Sequence, residues 1–515
     1  MASKSDSSIT GAVREPAPRS AESRPAVLPE AWNFTRERWA RILAVSVVLL
    51  IPCYWHREIE ADDLGSHLYN AWLVQLIHRG QVHGLWIDHR WNNVLFDYLL
   101  SGFGDLFGLH VGEKIAVSLA VLIFFWGMFA LVSGAAERAA WYLVPCFALF
   151  TYGWTFSMGL FNYYLAIGLS FFAIAIIWRG KHSEWLAAAA IVPLVILAHP
   201  LGFFWLLGAA VYVVAAERIS PRYHFLLLLA ALAGLFGVHE LLWHHYVVEA
   251  QEDPFYLYSG ADQLYLFGER YRIVESALLA FAVAVVAVDA IQQRHQRRFW
   301  KGYFIPLQMY ALALAAVPLL PNGIRIPNHI GALALLTERL TSVSAVLLCC
   351  VLGGAKPHKW HLAASMAIAA VFFSFMYQDT GTLNKMEESI VKLVRTLPPN
   401  QRVMGTILPP DESRVSIQHM LDRACIGYCF SYGNYEPGCK MFRVRAVAGN
   451  PYVLSDYLLA VQTETGEYVV KPDDLPAYQV YQCSDETWTA LCIHPLKAGE
   501  RNNAVVDLGE DDDDK

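Results

Sequence analysis

Two adjacent carboxylates, Asp62 and Asp63, stand in the stretch Glu58-Ile-Glu-Ala-Asp-Asp-Leu-Gly-Ser-His67-Leu-Tyr-Asn70, directly after the first apolar run of the chain. His67 and Asn70 follow one and two helical turns beyond Asp63. A carboxylate held next to a bilayer can take the proton of an acceptor hydroxyl. It can equally anchor a divalent cation that neutralises a phosphate leaving group. The same residues also suit a plain helix start, because first-turn acids complement the helix dipole. On a helix the two side chains point about 100° apart, so only one of them faces a given cavity.

Such carboxylates need a scaffold that holds them at a lipid–water boundary, and composition supplies one. Of the 515 residues 56% are hydrophobic and only 17% charged, against about 25% charged for a soluble domain. Apolar runs long enough to cross ~30 Å of hydrocarbon recur along the chain. They predict a polytopic α-helical membrane protein of about eleven spans. The expected limits are 39–55, 114–133, 139–155, 160–178, 185–199, 201–217, 223–245, 272–290, 302–320, 330–352 and 360–377. Residues 1–38 form a polar tail without the apolar core of a cleavable signal, so the first span acts as its own signal. The tail is expected to be disordered and cytoplasmic. The acidic end Glu510-Asp-Asp-Asp-Asp-Lys515 matches an enterokinase cleavage sequence and is set aside as tag residue.

Basic residues orient the spans. Arg138, then Arg179 and Lys181, then Arg218 and Arg222, then Arg294, Arg297, Arg298 and Lys301, then Lys356 and Lys359 fall in alternate loops. All of these land on the N-terminal, cytoplasmic side by the positive-inside rule. Loop 56–112, loop 246–271, loop 321–329 and the segment 378–509 then face outward. Within loop 56–112, Leu64, Leu68, Trp72, Leu73, Leu76 and Ile77 recur at helical spacing, predicting a helix over 63–79. Trp86, Trp91, Leu95 and Leu99 suggest a second. Trp-rich amphipathic helices lie in the membrane interface.

Residues 378–509 read as a small soluble α/β domain. Its expected elements are a helix over Lys385–Leu397 and strands at Arg402–Leu408, Glu467–Lys471 and Tyr478–Gln482. Five of the nine cysteines, Cys425, Cys429, Cys439, Cys483 and Cys492, lie here. Five is odd, so at most two internal disulfides leave one thiol over, with a zinc site as the less favoured alternative. Disulfides on this side fit an oxidising compartment.

Candidate phosphate-binding cations on the outward side are Arg90, Arg270, Arg272 and Arg325, with His329 nearby. An Arg fork donates two parallel hydrogen bonds to a phosphate, although such residues also serve as interfacial or ion-pair groups. His199-Pro200 sits between adjacent spans, and Glu338 and Arg339 fall inside the tenth, where charge is costly and tends to mark function. His239-Glu240-Leu-Leu-Trp243 lacks the second His of a zinc-protease helix, so His239 is read as cavity lining or as part of an interfacial belt. The histidines of loop 56–112 show no metal-ligand spacing. No Gly-rich phosphate loop argues for a nucleotide-driven motor, and no basic tract argues for nucleic acid.

An acidic motif directly after the first span, a long first outer loop with amphipathic helices, basic residues in later outer loops and a closing α/β domain together resemble the GT-C superfamily of membrane glycosyltransferases. The resemblance implies transfer of a sugar from a polyprenyl-phosphate donor to a glycan, lipid or protein acceptor at the outer face of the cytoplasmic membrane, with inversion. It implies that Asp62 or Asp63 is the general base, or a ligand of a divalent cation (Mg or Mn) where one is used. His67, Asn70, Arg90, His199, His239, Arg270, Arg272, Arg325 and His329 are the expected substrate-binding set. A lipid or solute transporter would instead pair Gly/Pro-interrupted half-helices in its two halves, and no such pairing is visible. A non-catalytic assembly protein of the cell envelope would tolerate loss of both Asp side chains.

Overall fold

The computed structural model describes residues 27–251, 259–293, 299–325, 332–439, 441–484 and 487–503. The candidate His329 and the basic residues Arg294, Arg297 and Arg298 lie outside the described residues, as does most of the expected tail.

The helices in chain order are α1 (Val27–Tyr54), α2 (Asp62–His78), α3 (Leu95–Phe107), α4 (Leu109–Ala136), α5 (Val144–Thr151), α6 (Trp154–Ser157), α7 (Phe161–Arg179) and α8 (Trp185–Ala198). Then come α9 (Pro200–Arg218), α10 (His224–His245), α11 (Tyr271–Gln293), α12 (Phe299–Leu319), α13 (Leu336–Gly354), α14 (Lys359–Val394), α15 (Met420–Cys425) and α16 (Tyr457–Thr465). The strands are β1 (Leu85–Ile87), β2 (Val247–Glu249), β3 (Gly323–Arg325), β4 (Ala332–Leu333), β5 (Arg402–Thr406), β6 (Phe430–Ser431), β7 (Val444–Ala446), β8 (Ala477–Gln482) and β9 (Leu491–Pro495).

Among the described residues eight helices are long and apolar enough to cross a membrane: α4, α7 and α9 to α14. The chain is a helical membrane protein carrying a few small sheets. The difference from about eleven spans has local causes. Every 18-residue stretch of α1 keeps at least Glu37, Arg38 and Arg41. The expected span 139–155 is cut into α5 and α6 by an extended Gly153. The span 185–199 is the 14-residue α8, which stops where His199 turns extended ahead of Pro200. The hydrophobic stretch of α13 is 89% buried inside the bundle while that of α10 is 0% buried, so α13 is a central post and α10 presents its sides to lipid.

The C-terminal part carries a four-stranded sheet in the order β6-β5-β8-β9, with β5 parallel to both neighbours and β9 antiparallel to β8. Two of the three expected strands are present. The third, Glu467–Lys471, forms only an isolated bridge from Val469 to Arg501. The expected boundary at 378 falls inside α14, a 36-residue helix that runs from the bundle into this part without a break. The predicted helix at Lys385 is its continuation. Trp86 lies not on a helix but on β1, which pairs antiparallel with β7 in a separate two-stranded sheet and so ties the first loop to the C-terminal part. The helix over 63–79 forms as α2. It does not lie open on an interface: Leu64 to Ala71, Leu73 and Val74 are buried between the bundle and α15.

Candidate functional site

The first turn of α2 is fixed by contacts on both sides. The Asp63 amide donates to the Met158 carbonyl at 3.3 Å. Gly159 has φ +72°, and a Cβ there would stand 2.6 Å from the Leu64 nitrogen and 2.8 Å from that of Asp63. Only glycine adopts that conformation and allows that approach cheaply. On the far side a Cβ at Gly65 would meet the His419 carbonyl at 2.3 Å. Asp62 and Asp63 are thereby clamped between the segment 158–160 and the C-terminal part.

The two acids face different surroundings. Asp63 accepts a hydrogen bond from the Tyr435 hydroxyl at 2.8 Å and lies 3.4 Å from His67 Nε2. The other ring nitrogen, His67 Nδ1, donates to Asp97 at 2.7 Å and stands 3.7 Å from Glu436. Asp97 is itself held by the Asn162 amide at 2.9 Å. Burial opposes charge at His67, yet Asp97 and Asp63 on either side carry its pKa well above the usual value, so it is an imidazolium. Burial would likewise raise Asp63, but His67, His419 and the Tyr435 hydroxyl outweigh it and hold the carboxyl at about 2. Glu436 is pushed up to about 8 by burial, against the attraction of His67. The Asp63 side chain remains 15% exposed, whereas His67 and Glu436 are each 3% exposed.

Asn70 completes the floor. Its amide donates to the Ser66 carbonyl and to Asn434 at 3.1 Å, and Asn434 donates to Asp422 at 3.0 Å. Asp422 accepts from His419 Nδ1 at 3.0 Å, and His419 Nε2 stands 4.0 Å from Asp63. Asp62 accepts the His419 amide at 3.4 Å and lines a small cavity with Glu60, Glu387, His419 and Arg423. Burial, with Asp63 alongside, raises its carboxyl above the usual range despite His419.

Beside this cluster lies a half-buried cation that pairs with no carboxylate at hydrogen-bond distance among the described residues. Arg339, on α13, directs Nη1 to His199 Nε2 at 3.1 Å, and its Nε has no hydrogen-bond partner among the described residues. It interacts electrostatically with Asp63 and Tyr435. His199, 3% exposed, takes the Leu201 amide on Nδ1 at 3.1 Å. Burial and Arg339 keep it neutral.

The sequence-derived candidates therefore divide. Asp62, Asp63, His67 and Asn70 form one connected cluster, and His199 reaches its edge through Arg339. The other cations pair with acids of their own, although the Nε of Arg90, like that of Arg339, has no hydrogen-bond partner among the described residues. Arg270 pairs with Asp379, Arg272 with Glu269 at 2.7 Å, Arg325 with Glu249 at 3.1 Å and Arg90 with Asp88 at 3.8 Å. His239 donates from Nδ1 to the Leu319 carbonyl at 2.7 Å. Asp97, His419, Asp422, Asn434, Tyr435 and Glu436 were not singled out. Asp97 carried one signal, a lone first-turn acid on an apolar helix. The others come from a segment more than 350 positions away whose local sequence resembles a turn.

Asp63, His67 and Glu436 can bring one ligand atom each within 4.8 Å of one another. Two carboxylates with one imidazole suit Mn more than the all-oxygen preference of Mg, and Asp97 would orient the ring from behind. No family model, curated protein or solved structure matches the chain.

Proposed function

We propose that the protein is a membrane glycosyltransferase that moves a sugar from a polyprenyl-phosphate donor to an acceptor hydroxyl. The reaction is placed at the outer face of the cytoplasmic membrane, with the N-terminus cytoplasmic and the C-terminal part outside. The reading rests on one observation above all: a low-pKa, partly open carboxylate, Asp63, interacts electrostatically with a half-buried guanidinium, Arg339, whose Nε has no hydrogen-bond partner among the described residues.

In this reading Asp63 receives the acceptor proton as the acceptor oxygen bonds to the anomeric carbon. The bond from that carbon to the phosphate oxygen breaks, and the electron pair leaves with the polyprenyl phosphate. Attack opposite the leaving group inverts the centre. Arg339 supplies donors to the leaving phosphate, where charge grows in the transition state. His67, Tyr435 and Asp97 hold Asp63 in place and keep it charged. A divalent cation held by Asp63, His67 and Glu436 would displace the protons that His67 and Glu436 otherwise carry and would add Lewis-acid stabilisation of that phosphate. The lipid tail of the donor would lie along the apolar helix faces.

The test is donor binding. Arg339→Gln should weaken binding of a polyprenyl-phosphate sugar by about 10-fold or more, the scale of a lost charged hydrogen bond. Arg339→Lys should restore part of it. Equal donor binding by wild type and Arg339→Gln, both folded, would remove Arg339 from the site.

A further inference from the structure

On the other side of α2 lies a second polar cluster that the proposed reaction does not use. Glu58 follows α1, and its backbone is pinned by Asn384 of α14, which accepts its amide hydrogen at 2.9 Å and donates to its carbonyl at 3.2 Å. His110 and Glu113 stand three residues apart in the opening turns of α4, on one helix face. Ligand atoms of these three residues all lie within 4.8 Å of one another.

Glu113 is 0% exposed, and neither of its carboxylate oxygens has a hydrogen-bond partner among the described residues. Leaving such a group unsatisfied is costly. The neighbouring cations do not answer it fully. Arg423 comes within 3.3 Å of one oxygen, but its hydrogen bonds go to Glu387 at 3.1 Å and to the Ile59 carbonyl at 2.9 Å. Lys114 turns away to the Cys53 carbonyl at 2.9 Å and the His56 carbonyl at 3.3 Å. Arg57 lies against Glu58 but is 82% exposed and shared with water. Glu58, Glu60, Glu113 and Glu387 thus surround two buried cations, Arg423 and Lys114, and burial pushes the Glu60 carboxyl up to about 7. His110 Nδ1 and Glu58 Oε2 stand 3.4 Å apart. That is close to the ~3.3 Å edge of a tetrahedron built on metal bonds of ~2.05 Å. His110 is 55% exposed, which gives an ion a path in and leaves room for a water as fourth ligand.

We infer that Glu58, His110 and Glu113 form a binding site for a divalent cation of the zinc class. Two carboxylates and one imidazole are the donors such an ion takes. The bound ion would tie the end of α1 to the start of α4. Through the shared Arg423 it would brace α15, on which His419 and Asp422 stand. The role is structural, and it does not depend on the sugar-transfer reading.

The test uses the full chain purified in detergent, stripped of metal and titrated with zinc. Wild type should bind zinc and unfold at a higher temperature when loaded. His110→Ala changes a half-exposed side chain and should fold. It should lower zinc affinity about 10-fold or more and abolish the thermal shift. Glu113→Gln should do the same; Asp63→Asn, which disables the other candidate cation group, should leave the shift in place, and both losses should persist in that background. If wild type takes up no zinc, the inference falls. It also falls if His110→Ala binds zinc as wild type does, or if Asp63→Asn alone removes the shift.

Discussion

The two polar clusters flanking α2 use the same residue types in opposite ways. Around Asp63, charges alternate. His67 lies between Asp97 and Asp63, His419 lies between Asp422 and Asp63, and Asn70, Asn434 and Tyr435 fill most of the remaining hydrogen-bond positions. Around Glu113, carboxyl groups outnumber cations, and Glu113 has Arg423 at 3.3 Å but no hydrogen bond among the described residues. The first arrangement is organised by the chain itself and presents a fixed charge to a ligand. The second is the one to which we assign a divalent cation. Adjacent acids in a sequence therefore do not share a role merely by being adjacent.

The comparison breaks most severely at Arg423, the only guanidinium bonded to Glu387 and near Glu113 among the described residues. Arg423→Gln should cost about 3–5 kcal/mol, as expected when one partner of a buried ion pair is removed. Saturating zinc should recover part of that loss in thermal unfolding. Zinc stabilisation present in wild type but absent in Arg423→Gln would contradict that expectation. Next in size is Gly159→Ala, which should cost about 1–3 kcal/mol through its left-handed backbone and the clash with α2. It should also impair transfer, because the first turn of α2 must move.

A smaller effect sharpens the electrostatic contrast. Folding raises the Glu436 carboxyl from 4.5 to about 8, chiefly through burial. The folded protein then keeps a proton that the unfolded chain releases, so stability falls as pH rises through that window. Glu436→Gln should flatten stability between pH 4.5 and 8, read from urea midpoints. The smallest change is expected at Arg325, whose pairing with Glu249 is 66% and 50% exposed. Arg325→Ala should shift stability by less than about 1 kcal/mol and leave transfer intact.

Much of this was legible in the sequence, and the limit has a physical basis. Apolar runs located the long helices because hydrocarbon thickness sets their length. The helix over 63–79 followed from helical periodicity, which also turned Asp62 and Asp63 about 100° apart without saying which of them faces the site. Span limits failed where a single residue, Gly153 or Pro200, ended a helix that hydropathy alone would continue. The partners of Asp63 were hidden for another reason. Tyr435, Glu436 and His419 reach it only through α15 packing on α2 and the β1–β7 pairing, and no local pattern encodes a contact across more than 350 residues. Arg270, Arg272 and Arg325 were drawn in by side of the membrane alone, a coordinate too coarse to exclude their own acidic neighbours.

The central claim is tested most directly by turnover of labelled polyprenyl-phosphate sugars with purified wild type, Asp63→Asn and Asp62→Asn. Asn keeps the shape and removes the charge. The account predicts turnover by wild type, a loss of about 100-fold or more in Asp63→Asn, and a much smaller loss in Asp62→Asn, with both variants folded. Undiminished turnover in Asp63→Asn, or none in wild type with any donor, would contradict it.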